Sequence, residues 1–158
     1  MKTGDLQSAD GIPSHSCSSP VCFSVKEIIK AENQYCARSW DKELATRYVF
    51  NINNATVEAS FFRHFRGRKF VKDVLELPIS YGCVIGCRHC ASSQLHNTRF
   101  LSFEELFSIF RYVTSQHISE STYIFRVSFA GIGEGALKPH LIQKAIPRMF
   151  ALYPNCFF

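Results

Sequence analysis

Three cysteines in one short loop constrain this chain more than any other feature of its sequence. Cys83, Cys87 and Cys90 follow the spacing Cys-x3-Cys-x2-Cys within residues 77–91. A short loop with three thiolates can ligate three irons of a [4Fe-4S] cluster and leave the fourth iron open to a chelating molecule. Gly82 and Gly86 suit such a loop, because glycine tolerates positive φ and close backbone approach.

The position of this loop strengthens the interpretation. Residues 73–80 form a strand-like run, so the cysteines come directly after the carboxyl end of a predicted strand. Barrels and open α/β folds carry their chemistry at such strand ends. Two other interpretations remain: a structural zinc site, which usually needs a second ligand pair elsewhere, and three unligated thiols.

Composition limits the broad class of protein. The chain has 158 residues, of which 46% are hydrophobic and 20% charged, as expected of one ordinary globular domain. Its seven cysteines are an odd number, which argues against a complete disulfide framework and favours a reducing cytoplasm. We find neither an apolar run long enough to span a membrane nor a signal-peptide core, so we expect no membrane partner. The net charge of +5 is compatible with an anionic partner.

The chain divides into three predicted segments. Residues 1–44 are expected to form a mobile N-terminus and a short helix within 21–40, residues 45–72 a β-hairpin lead-in turning at Asn53-Asn54, and residues 73–158 an α/β segment. In that last segment, a capping box at Ser102 opens a helix over 102–116. We further predict a strand over 122–130, a helix over 137–153 with Pro147 as a kink, and a strand from 155. The alternation of strand and helix indicates an α/β barrel being built.

The second predicted hairpin is the most basic part of the chain. Basic residues interleaved with Phe65 and Phe70 can bind RNA through phosphate contacts and stacking. An ordinary solvated hairpin tip explains the same charges. The basic residues are Arg63, Arg66, Arg68, Lys69 and Lys72.

A second motif, Gly131-Ile-Gly-Glu134, follows the next predicted strand. Glycines at a strand end let a ligand approach the backbone, and a carboxylate there can pair with an ammonium group. An ordinary glycine turn before a helix with an acidic first turn would have the same sequence pattern. Its position at the end of the strand after the cysteine loop favours a shared site.

Together the two motifs resemble the radical S-adenosylmethionine (SAM) superfamily. The resemblance implies a partial (βα) barrel, a [4Fe-4S] cluster on Cys83, Cys87 and Cys90, and SAM as the second cofactor. It further implies that Gly131, Gly133 and Glu134 receive the methionine amino group and that His89, which replaces the usual aromatic residue, borders the adenine. An electron donor such as flavodoxin or ferredoxin would be a partner.

The sequence around Gly131 is most similar to that of the RlmN and Cfr family of ribosomal RNA adenine methyltransferases. The β-rich lead-in and the Ala91-Ser-Ser-Gln94 segment after the cysteines add to this resemblance. Gly135 departs from this family, which has Pro there, and Cys156 does not match the setting of its methyl-carrying cysteine. The chain after Cys90 suffices for about two further strand-helix steps, so we expect a barrel incomplete at the C-terminus.

The sequence therefore leaves three functional hypotheses. The first is a radical SAM enzyme or its N-terminal part, with RNA methylation as the specific activity implied by resemblance. The second is a non-catalytic remnant that holds an iron–sulfur cluster or zinc. The third is a basic RNA-binding module. No role beyond packing is predicted for Cys17, Cys22, Cys36 or Cys156.

Overall fold

The computed structural model describes residues 21–32, 43–66, 69–95 and 97–158. The predicted mobile segment 1–20, with Cys17, lies outside the described residues, as does Cys36. Within the described part, no helix is long and apolar enough to cross a membrane.

The first half of the chain forms an antiparallel meander. Its strands are β1 (Phe23–Glu32), β2 (Glu43–Ile52), β3 (Ala55–Arg66) and β4 (Lys69–Glu76), paired in chain order. The predicted turn between β2 and β3 is confirmed, since Asn53 and Asn54 have φ of 49° and 66°. Two consecutive residues with positive φ fit a tight hairpin whose twist matches that of its strands, and Asn tolerates this conformation well.

The predicted short helix over 21–40 is wrong for the residues that the structure describes. Residues 23–32 form β1, which pairs antiparallel with β2 from Phe23 opposite Ile52 to Glu32 opposite Glu43. The helical spacing of Val25, Ile28 and Ile29 was weak, and these β-branched side chains also favour a strand. Pairing with β2 decides the outcome, because it satisfies backbone groups along the whole segment.

The second half adds two strand-helix-strand units to the same sheet. The short strands β5 (Ser80–Tyr81) and β6 (Arg99–Phe100) pair with each other, followed by α1 (Phe103–His117), β7 (Phe125–Ser128), α2 (Pro139–Leu152) and β8 (Cys156–Phe157). Strand β7 lies parallel to both β4 and β8, so the sheet order is β1-β2-β3-β4-β7-β8. The described chain is therefore a mixed α/β fold.

Helix α1 begins as its sequence predicts. The Ser102 hydroxyl accepts a hydrogen bond from the Glu105 amide at 3.1 Å, and the Glu105 carboxylate accepts one from the Ser102 amide at 2.8 Å. This capping box satisfies two amides that a helix start would leave unpaired. The apolar stripe of α1 joins a core with the sheet and α2, formed around fully buried side chains that include Leu75, Leu106, Phe110, Phe125 and Met149.

Other boundaries differ in detail from the predictions. Strand β7 is limited to the four residues that pair with Asp73–Glu76, because residues on either side have no strand partner. Helix α2 begins at Pro139, where proline suits a first turn, and continues across Pro147 to Leu152. Strand β3 extends to Arg66, and residues 67–68 lie outside the described residues.

Candidate functional site

The cysteine loop is an excursion between the paired strands β5 and β6. Gly82 starts it with φ of 66°, and the Cys83 amide donates to the Ser92 carbonyl at 3.0 Å, closing its base. The Cys90 amide donates to the Cys87 carbonyl at 3.1 Å, forming a turn before a 3-10 segment over Ala91–Gln94. Gly86 has φ of 74°, and a Cβ there would meet no atom within 4 Å. The glycines therefore bend the loop while leaving its tip open.

All three loop cysteines are free thiols in accessible positions. Cys87 is exposed, and Cys83 and Cys90 are half-buried. Hydrogen bonding from the Ser92 amide and hydroxyl is the main cause that holds the pKa of the Cys90 thiol below its usual range. A lowered pKa favours the thiolate, which is the form that ligates metal.

The loop nevertheless does not form an assembled metal centre. Among the described residues, no three His, Cys, Asp or Glu side chains lie close enough together to hold a metal ion. Cluster or zinc ligation by these thiols thus stays a prediction that rests on the donor set. The exposed tip and the open space beside Gly86 leave room for the sulfurs to turn inward.

The glycine motif packs directly against the strand that leads into the cysteine loop. The Ile132 carbonyl accepts hydrogen bonds from the amides of Ile79 at 2.8 Å and Ser80 at 3.2 Å. A Cβ on Gly131 would lie 3.1 Å from the Leu77 carbonyl, and one on Gly133, where φ is 95°, would lie 2.2 Å from the Ser80 hydroxyl oxygen. Only glycine fits this close approach, so the motif holds two strand ends together.

Glu134 closes the motif at an exposed position. Its carboxylate Oε1 accepts a hydrogen bond from the Ala136 amide at 3.2 Å, which caps the 3-10 turn over Gly135–Leu137. This bond is the structural role that the acidic residue plays by itself. The second carboxylate oxygen can accept a hydrogen bond from a ligand.

One cleft brings the two motifs together. Cys83 from the cysteine loop and Glu134 from the glycine motif both line it. The remaining lining residues are Ser80, Val84, Thr98, Arg99, Phe100 and Leu137. The structure thus brings the predicted residues Cys83 and Glu134 to one cleft, and their binding roles stay predictions. The cleft itself was not predictable, because it depends on how the β5–β6 pair folds back.

Ser80 is a site residue that sequence reasoning missed. Its hydroxyl donates to the Gly82 carbonyl at 2.5 Å, and its amide bonds to Ile132. It therefore contacts both motifs and fixes their separation. Its position three residues before Cys83 was its sole signal in the sequence.

A network of polar side chains around the buried Glu105 adjoins the end of the cysteine loop. Arg99 of β6 donates to both carboxylate oxygens of Glu105, at 3.0 and 2.7 Å, and Asn53 donates to the same carboxylate at 2.8 Å. Burial alone would raise the pKa of Glu105, but the hydrogen bonds from Arg99, the Ser102 amide and Asn53 lower it overall. The network links the β2–β3 turn, α1 and the end of the cysteine loop.

Other predicted binding residues are not brought into the cleft. His89 is exposed between Cys87 and Cys90. In the basic hairpin, the Arg63 Nε lies 3.8 Å from Asp73 Oδ1, and the Lys72 Nζ lies 5.7 Å from the Phe157 ring centre. These two cations have structural contacts, and Arg68 lies outside the described residues.

Comparison with known proteins identifies the kind of fold. No family model matches this sequence, and no curated protein matches it. The structure is similar to the crystal structure of a radical SAM methyltransferase from Sphaerobacter thermophilus, with a TM-score of 0.61 and 12% sequence identity over 81% of this chain. The match covers 33% of that chain, so this chain spans about a third of its length. At this identity the likeness is one of fold alone: the chain has a mixed α/β fold similar to that of a radical SAM protein.

Proposed function

We propose that this chain is a radical SAM enzyme, or the first part of one, whose fold is the beginning of a (βα) barrel. The observation that carries the proposal is the shared cleft of Cys83 and Glu134. Their loops follow β4 and β7, which are adjacent and parallel, so both lie at the same edge of the sheet. That edge is where α/β folds bind cofactors and substrates.

Each motif residue has a specific role in this proposal. Cys83, Cys87 and Cys90 hold a [4Fe-4S] cluster as thiolates. Glu134 accepts a hydrogen bond from the ammonium of SAM, and Gly131 and Gly133 let the ligand approach the backbone. His89 borders the adenine.

A [4Fe-4S] cluster held by Cys83, Cys87 and Cys90 would supply the one-electron reduction that cleaves SAM held at Glu134. The protein's contribution is position. Hydrogen bonds from Ile79 and Ser80 to Ile132 fix the Glu134 loop against the strand that leads to Cys83. The Arg99–Glu105 pair fixes the other end of the cysteine loop at β6. Rigid strand ends of this kind keep two binding groups at a constant separation.

The specific reaction in this proposal is RlmN-like RNA methylation, with an electron donor such as flavodoxin or ferredoxin. The structural neighbour is itself named as a methyltransferase. The basic residues of the β3–β4 hairpin support the proposal of an RNA partner, because Lys and Arg side chains can contact phosphates. At the cysteine loop, the exposed side chains of Val84 and Ile85 offer an apolar contact for a donor protein.

Electron paramagnetic resonance of the reconstituted protein tests the proposal. The chain is loaded anaerobically with iron and sulfide, reduced, and measured with and without SAM. We expect a cluster signal that changes when SAM is added. Cys87→Ala should abolish the signal, whereas Cys22→Ala, which removes an exposed free thiol outside the loop, should leave it intact. Glu134→Gln should keep the cluster but weaken its response to SAM, beside Glu120→Gln as an exposed control.

Each other outcome has a definite meaning. A cluster signal indifferent to SAM would reject the enzyme and favour the non-catalytic remnant. No iron signal, with stoichiometric zinc bound instead, would favour the zinc site. RNA affinity unchanged by charge reversal at Arg66 and Arg68 would reject the RNA partner, independently of the cluster result.

A further inference from the structure

A second cavity lies on the helix-covered side of the sheet, away from the cysteine loop. It is bordered by β3, by β4 at Asp73, by the end of α1 at His117, and by Tyr123 before β7. Asp73 pairs with Phe125, the first residue of β7, so the cavity lies at the amino end of that strand. The cysteine and glycine loops lie at the carboxyl ends. We call this cavity the Asp73 pocket.

The pocket contains a buried carboxylate oxygen without a hydrogen bond. Asp73 is 2% exposed, and its Oδ2 accepts a hydrogen bond from the Tyr123 hydroxyl. Its Oδ1 has no hydrogen-bond partner among the described residues and lies 3.8 Å from the Arg63 Nε, beyond hydrogen-bond distance. A buried carboxylate oxygen without a hydrogen bond is unfavourable, and a bound donor would relieve that cost.

The lining specifies the shape of an occupant. Phe61, which stacks on the His117 ring at 4.1 Å between centres, contributes to the wall with Phe62 and Tyr123. The cavity volume is about 120 Å³. An enclosed apolar cavity of roughly 150 Å³ binds benzene. This pocket is smaller but opens to solvent beside the exposed side chains of Arg63 and Tyr123, so a six-membered ring can enter it with one edge in solvent. Aromatic walls favour a planar ring through offset or edge contacts.

The polar side chains of the pocket indicate which polar group a ligand would carry. The Arg63 guanidinium beside Asp73 balances the charge of the carboxylate, but its Nε lies 3.8 Å from Oδ1 and leaves that oxygen able to accept a hydrogen bond. Asp73 Oδ1 accepts, and a guanidinium donates through several N–H groups. The acceptor Asp73 Oδ1 beside the donor Arg63 is complementary to an amide, whose N–H and C=O lie side by side. Burial and the bond to Asp73 raise the pKa of Tyr123 to about 12, so its hydroxyl stays a donor to Oδ2 and leaves Oδ1 for the ligand.

We propose that the Asp73 pocket binds a small neutral ligand with an amide group on a single aromatic or heteroaromatic ring. The amide N–H donates to Asp73 Oδ1, the amide oxygen accepts from Arg63, and the ring packs among Phe61, His117 and Tyr123. The site is separate from the cysteine loop and needs no cluster.

Benzamide is the probe that tests this site. Saturation-transfer NMR and protein-observed titration should detect its binding to the full chain. Benzoate, which lacks a donor and is repelled by Asp73, and N,N-dimethylbenzamide, which keeps the ring but has no N–H, should each bind at least about tenfold more weakly. This ligand series uses the unmodified protein and therefore does not depend on any variant folding.

Variants then locate the site. Asp73→Asn preserves the shape and should weaken benzamide binding by about tenfold or more, with folding checked by circular dichroism. Cys87→Ala and Glu120→Gln should bind benzamide as the unmodified protein does. No binding of benzamide, or equal binding of its dimethyl analogue, would overturn the proposal and leave a water-filled pocket. Loss of binding in Cys87→Ala would also overturn it, because the ligand would then belong to the cysteine loop.

Discussion

Gly133→Ala should destabilise the fold through two separable effects at the junction of the two motifs. Gly133 has φ of 95°, a conformation that costs an L-residue roughly 1–2 kcal/mol. The added Cβ would also lie 2.2 Å from the Ser80 hydroxyl oxygen and 3.2 Å from the Ser80 amide nitrogen. Overpacking of a filled space costs about 1–3 kcal/mol. The free energy of unfolding should therefore fall by about 2–5 kcal/mol.

Urea denaturation followed by circular dichroism measures this change. The matched control is Gly86→Ala, where φ is 74° but a Cβ would meet no atom within 4 Å, so only the conformational cost applies. Thermal unfolding provides a second readout, since each kcal/mol shifts Tm by about 2–4 °C in a chain of this size.

A double-mutant cycle with Ser80→Ala separates the clash from the backbone strain. Alone, Ser80→Ala removes the buried hydrogen bond to Gly82 and should cost about 1 kcal/mol. In the Gly133→Ala background it also removes the clashing oxygen, so the two changes should couple favourably by about 1–3 kcal/mol. The reasoning is refuted if Gly133→Ala costs no more than Gly86→Ala and the Ser80→Ala effect is the same in both backgrounds.

Three further predictions concern the rest of the fold. Glu105→Gln should lower the free energy of unfolding at pH 7 by about 1–3 kcal/mol. Because the folded pKa of Glu105 is below its ordinary value of 4.5, this wild-type advantage should be present above pH 4.5 and disappear as the pH falls through the folded pKa. The same pH dependence of stability in both proteins would contradict this. Pro147→Ala should stabilise α2 by about 1–3 kcal/mol in urea denaturation, because it restores an amide donor inside the helix, and any loss of stability would argue against that explanation. Burial raises the pKa of the Cys156 thiol, so iodoacetamide should alkylate Cys156 far more slowly than the exposed Cys22 until urea unfolds the protein, as followed by mass spectrometry. Equal alkylation rates in the native protein would show that β8 opens freely.

Local signals in the sequence predicted much of the structure. The capping box at Ser102 fixed the start of α1, and Asn53-Asn54 fixed the first hairpin turn, because in both cases neighbouring residues alone satisfy the backbone. The helix predicted where β1 lies was wrong, since the partner strand outweighed a weak local preference.

The candidate site shows the same division. The sequence by itself determined the candidate site residues: three thiols at fixed spacing on one loop, and a glycine-flanked carboxylate on another. Only the tertiary structure decided that Cys83 and Glu134 share a cleft and that Ser80 joins the two motifs. It also decided that the buried Asp73 carboxylate and the exposed Tyr123, 50 residues apart, meet at one pocket. Spacing along the chain is local information, whereas these contacts depend on the parallel register of β4 and β7, which only the packed sheet fixes.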